Sequence, residues 1–85
     1  MTPTHDCTKA VLTSLKKLLA SDTLGIDEIV ESPECQKFSK TEIDNCLEYL
    51  NEYNFIIAKF INADDQIHDV TECKITRKGY ELLKK

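Results

Sequence analysis

Ser39-Lys40-Thr41-Glu42-Ile43-Asp44-Asn45-Cys46-Leu47-Glu48-Tyr49-Leu50-Asn51-Glu52-Tyr53-Asn54 opens the segment, 39–83, whose reading decides the fold. Ser39 and Glu42 form a capping box, each side chain placed to satisfy the other residue's backbone N–H. Ile43, Leu47 and Leu50 then recur at helical spacing with Cys46 beside them, which predicts a helix over 40–53 with one apolar stripe. Asn54 falls where a left-handed residue ends a helix, and Phe55-Ile56-Ile57-Ala58-Lys59-Phe60-Ile61 follows with strand character. A polar break, Asn62-Ala63-Asp64-Asp65-Gln66, leads into a second strand over 67–75. Thr76 caps a closing helix, 77–84, that carries Tyr80, Leu82 and Leu83.

Upstream, Thr2 as N-cap with Pro3 at the first helical position, or a start one turn later, predicts a helix over about 3–20. Its buried stripe is Cys7, Val11, Leu15, Leu18 and Leu19. Leu24 is placed to bridge to the hairpin, and a short helix follows over about 26–31. Pro33 stops that helix, because the residue before proline avoids helical geometry. Ser32-Pro33-Glu34 resembles a further N-cap, giving one turn of helix as far as Lys37. Phe38 stands just before the Ser39 cap, where a hydrophobic staple is made. In the first hairpin strand Phe55, Ile57 and Ile61 alternate with Ile56, Ala58 and Phe60. Both faces are apolar, so burial on both sides is expected.

Eighty-five residues, 41% hydrophobic and 31% charged, fit a single domain spanning 1–85 with one small core. The expected class is mainly α with a small antiparallel hairpin (α+β). No apolar run approaches the roughly 18 residues of a membrane-spanning helix, so no membrane partner is expected. The residues from Met1 to Asp6 lack the basic and apolar regions of a signal peptide, which suggests a cytoplasmic protein. Cys7, Cys35, Cys46 and Cys73 stand apart, and neither His5 nor His68 completes a zinc-ligand spacing, so reduced thiols and no metal are expected. Cys35, in a loop, is the thiol to test for reactivity. No nucleophile–base pair or glycine-rich phosphate loop occurs, which points away from catalysis and from a cofactor.

Two local signatures carry a family resemblance. Leu50-Asn51-Glu52-Tyr53-Asn54-Phe55-Ile56 resembles the passage from third helix to wing in winged helix-turn-helix domains, with Asn54 where glycine is usual. Ile75-Thr76-Arg77-Lys78-Gly79-Tyr80-Glu81-Leu82-Leu83 resembles their closing leucine-threonine-x-x-glycine segment. The chain is similar to small winged-helix proteins encoded by bacteria and by phages or prophages. The resemblance implies the order helix, short strand, helix, helix, strand, strand, helix. It also implies a third helix that enters the DNA major groove, as in transcription regulators. The segment between the second and third helices is longer than the turn of a compact helix-turn-helix.

By that resemblance Lys40, Thr41 and Asn45 are candidate DNA contacts, with Arg77 and Lys78 as a second basic group. Charge pulls the other way. Residues 22–72 hold thirteen acids against three bases, whereas 1–21 carry +2 and 73–85 carry +4. DNA affinity rests on neutralising phosphates, and the third helix has the wrong sign for that. Asp44, Glu48 and Glu52, with Asp64 and Asp65 at the wing tip, are therefore candidates for the alternative: a face that meets a basic protein, in the extreme case by mimicking DNA. Monomer and homodimer are both compatible with the sequence.

Overall fold

The computed structural model describes residues 3–18, 23–63 and 66–84. The elements are α1 (His5–Leu18), β1 (Thr23–Gly25), α2 (Ile26–Val30), α3 (Lys40–Glu52), β2 (Ile56–Ala63), β3 (Gln66–Ile75) and α4 (Arg77–Leu83). The chain is thus a mixed α+β fold. β2 and β3 form an antiparallel hairpin, and β1 adds to the free side of β3, giving the order β1-β3-β2. Among the described residues no helix is long and apolar enough to cross a membrane.

Local chemistry sets the boundaries. α1 begins later than Pro3, because Thr4 is the residue that caps it, its Oγ1 accepting from Cys7 N–H at 3.2 Å. The expected end at Ala20 lies outside the described residues. Glu28 takes the Gly25 N–H at 2.9 Å and fixes the start of α2. Ser32 does not cap a further helix. Its hydroxyl donates back to Ile29 C=O at 2.8 Å, and 33–37 form successive turns. The α3 capping box forms as expected, with both bonds at 3.1 Å.

α3 ends in a full Schellman arrangement. Asn54 adopts φ 64°, Phe55 N–H reaches Leu50 C=O at 2.9 Å, and Asn54 N–H reaches Asn51 C=O at 3.3 Å. The Phe55 ring stacks on Tyr49, their centroids 6.2 Å apart, supplying the apolar contact that accompanies this cap.

The core lies between the helices and one face of the sheet. Val11, Leu12 and Leu15 of α1 meet Ile26 and Ile29 of α2, Ile43, Leu47 and Leu50 of α3, and Ile56, Ile67 and Val70 of the hairpin. Each such side chain contributes about 1.5–3 kcal/mol by leaving water. α1 packs on α2, α3, α4 and β3, so it buries Thr8, Leu12 and Ser14 as well as Cys7, Val11 and Leu15 of the expected stripe; Leu18 is half-buried, and Leu19 lies outside the described residues.

β2 departs from expectation. Only its inner face is covered: Ile56 is buried and Ala58 and Phe60 are half-buried, while Ile57 and Ile61 are 60% and 50% exposed. β3 is also irregular. It uses ten residues to match the eight of β2, with extra residues at His68 and at Glu72-Cys73. Each bulge shifts the alternation by one, which brings Ile67, Val70 and Ile75 to the same inner face despite odd spacing. Glu72 takes φ 51° at its bulge. Opposite it, Ala58 has no partner across the ladder and gives its N–H to Asn51 Oδ1 of α3 at 3.1 Å.

Candidate functional site

The outward side of α3 follows from the burial of its inward side. With Ile43, Cys46, Leu47 and Leu50 fully buried, the residues Lys40, Thr41, Asp44, Asn45, Glu48 and Glu52 fall on the opposite side. At 100° per residue they span an arc of about 140°. Lys40, Thr41, Glu48 and Glu52 are exposed, and Asn45 is half-buried.

Asp44 lies within the arc, between Lys40 and Glu48, and differs from the expectation of an open contact. It is half-buried, its Oδ1 is enclosed without a partner, and the Ile67 backbone N–H lies against the carboxylate. Burial raises its pKa above the ordinary 3.8, and the Ile67 bond only partly offsets this. Asp44 is therefore a link between α3 and β3 more than a surface charge.

The second basic group divides. Arg77 is open to solvent and pairs with Glu81 at 3.5 Å. Lys78 is committed: its Nζ donates to Tyr53 C=O at 3.0 Å and lies 4.6 Å from the centroid of the Phe55 ring. There it satisfies a carbonyl at the negative end of α3 and makes a cation–π contact. Thr76 completes the join, its Oγ1 bonding Asn54 C=O at 2.6 Å and accepting from Gly79 N–H at 3.2 Å. α4 consequently starts at the C-terminal end of α3, whereas Lys40 starts α3. Twelve residues at a rise of 1.5 Å put these ends about 18 Å apart. Lys40 and Arg77 do not form one patch.

Asp64 and Asp65 lie outside the described residues. On the described part of the hairpin Lys59 pairs with Glu72 at 3.0 Å, and His68 contacts Asp69 at 3.0 Å. Cys35 is not a reactive loop thiol. It is fully buried, and burial raises its pKa. Cys7 and Cys46 also belong to the core, and Cys73 is half-buried with its thiol pushed up to about 11. Inert structural thiols fit this pattern. Among the described residues no group of three or more potential ligands converges on a metal position.

Sequence reasoning missed the role of Asn51. Only the bulge, which leaves Ala58 without a ladder partner, creates the need that Asn51 meets. It also missed the open outer face of β2, because an apolar strand at a sheet edge and one in the middle carry similar residues. Comparison of the chain with protein-family models, with curated proteins and with solved structures returns no match.

Proposed function

We propose that the chain is a non-enzymatic winged-helix module of the transcription-regulator type, meeting its partner with α3 and the β2–β3 hairpin. The element order carries this reading: three helices with a short strand after the first, then a hairpin and a closing helix. On DNA, α3 would lie in the major groove. Lys40 and Thr41 would touch phosphate or base edges near its start, Asn45 would read adenine, and Arg77 would add a phosphate contact beyond its far end. Lys78 drops out of this set because Tyr53 and Phe55 hold it.

A second reading rests on a specific observation, the charge of that same arc. Glu48 and Glu52 are exposed at its centre and far end, and Lys40 is its one base. This favours a protein with a basic surface, bound by an acidic module of the accessory or inhibitor kind. Fluorescence anisotropy with mixed-sequence duplex DNA at low salt separates the two. The regulator reading expects saturable binding that weakens as salt rises and fails when Lys40 and Arg77 are both changed to glutamate. Absence of binding to DNA, with capture of a basic protein that is lost on reversing Glu48 and Glu52 to lysine, would replace it with the second.

A further inference from the structure

β2 is an edge strand: it pairs with β3 on one side, and among the described residues no strand pairs with its other side. Which backbone groups face that free side follows from the ladder. Thr76 N–H bonds Phe55 C=O at 3.0 Å, and Thr71 Oγ1 donates to Lys59 C=O at 3.4 Å, so the odd-numbered residues turn their backbone groups toward β3. The bulges place their extra residues in β3 and leave the alternation of β2 intact. Ile56, Ala58, Phe60 and Asn62 therefore present their N–H and C=O groups to the free edge.

The first half of that edge is guarded, and the second half is open. Asn51 Oδ1 of α3 accepts the Ala58 N–H at 3.1 Å, so this donor is already taken. Lys59, its side chain 76% exposed, is the kind of residue that keeps edge strands apart. Phe60, Ile61, Asn62 and Ala63 follow with neither charge nor proline. Ile61 is 50% exposed, on the outer face of the sheet. An uncharged strand edge with unpaired N–H and C=O groups is a template for another strand.

We infer that this open half is a homodimer contact, in which β2 pairs antiparallel with β2 of a second copy about a two-fold axis at Ile61. The strand's own sequence favours that register. With the two Ile61 residues opposite each other, Phe60 of each copy exchanges N–H···O bonds with Asn62 of the other, and Ala58 is not called on. Lys59 then lies opposite Ala63, so no like charges meet, and the axis carries an apolar pair. An axis at Phe60 would need the Ala58 N–H that Asn51 holds. An axis at Lys59 would need it too, and would set two ammonium groups against each other. Because the same edge serves on both sides, the assembly closes at two copies. So few bonds make a contact smaller than stable dimers bury, so the dimer is weak and forms as concentration rises. It does not rest on whether the arc of α3 meets DNA or protein.

Sedimentation equilibrium of the whole chain over a range of concentrations, under reducing conditions, tests this. A monomer–dimer equilibrium is expected. Ile61→Lys puts like charges across the axis and should weaken association about tenfold or more. Ile57→Lys, on the same face at a position 60% exposed but outside the paired stretch, should leave association unchanged. Urea unfolding verifies that both variants fold. An antiparallel pair without hydrogen bonds between its members brings its Cα atoms to about 4.5 Å, within disulfide reach. With oxidised glutathione, Ile61→Cys should therefore yield a linked dimer that neither Lys59→Cys nor the parent, with its own four cysteines, gives. A chain that stays monomeric throughout would overturn the assignment. So would equal loss with Ile57→Lys, the mark of sheets packed face to face, or linkage through Lys59→Cys in place of Ile61→Cys.

Discussion

Gly79 allows α4 to sit where it does. A Cβ at this position would lie 2.2 Å from the Phe55 carbonyl oxygen and 2.8 Å from Ile75 Cγ2, and the nearer of these atoms is backbone that cannot turn aside. Gly79→Ala is expected to cost about 2–3 kcal/mol, the upper part of the overpacking range, measured by urea unfolding. Asn54 needs its φ of 64°, so Asn54→Ala should cost about 1–2 kcal/mol, whereas Asn54→Gly should be neutral or slightly stabilising. Asp44 gives a pH signature of the opposite sense to a salt-bridged acid. Its folded pKa is raised, so its contribution is most favourable below 3.8 and is lost as pH rises through the folded value. Asp44→Asn should therefore be more stable than the parent at neutral pH, with the difference shrinking on acidification. Paired denaturation curves at neutral pH and in acid check this, and a gap that widens in acid contradicts the assignment.

Helix α3 was legible in the sequence from cap to cap because each signal is local. Ser39 and Glu42 pair across three residues, the apolar stripe repeats every three or four, and Asn54 tolerates left-handed geometry unaided. Removing the first of these by Ser39→Ala should lower stability by about 1 kcal/mol in thermal or urea unfolding. The strands were less legible because their pattern depends on partners distant in the chain. Ile67, Val70 and Ile75 share an inner face only after bulges at His68 and at Glu72-Cys73, and neither bulge carries the glycine that would announce it. Burial of β2 was misjudged for a related reason: Ile57 and Ile61 have strand character, but among the described residues no element covers their side of the sheet. Of the candidate contacts, Glu48, Glu52, Lys40 and Thr41 follow directly from helical phase. Lys78 does not, since its engagement by Tyr53 and Phe55 joins residues 25 and 23 positions away.

For the whole molecule, charge distribution is the property that an assay reads most directly. The acidic excess lies in 22–72, and the bases cluster in the first and last segments. Reversing Glu48 and Glu52 to lysine should leave stability nearly unchanged, within about 0.5 kcal/mol, because both side chains are exposed. It should raise affinity for duplex DNA at low salt and steepen the salt dependence, as anisotropy titrations would register. An unchanged titration would remove the arc of α3 from contact with DNA.

The join between the end of α3 and the start of α4 bears on how the protein is made. The carbonyls of Tyr53, Asn54 and Phe55 are met by Lys78 and Thr76, which the ribosome adds more than twenty residues later. Until those residues leave the exit tunnel, the carbonyls at the end of α3 stay hydrated. At synthesis rates of about 5–20 residues per second, that interval lasts a second or more. Nascent chains stalled before Thr76 should accordingly remain sensitive to protease, and chains released after α4 should become resistant in a single step.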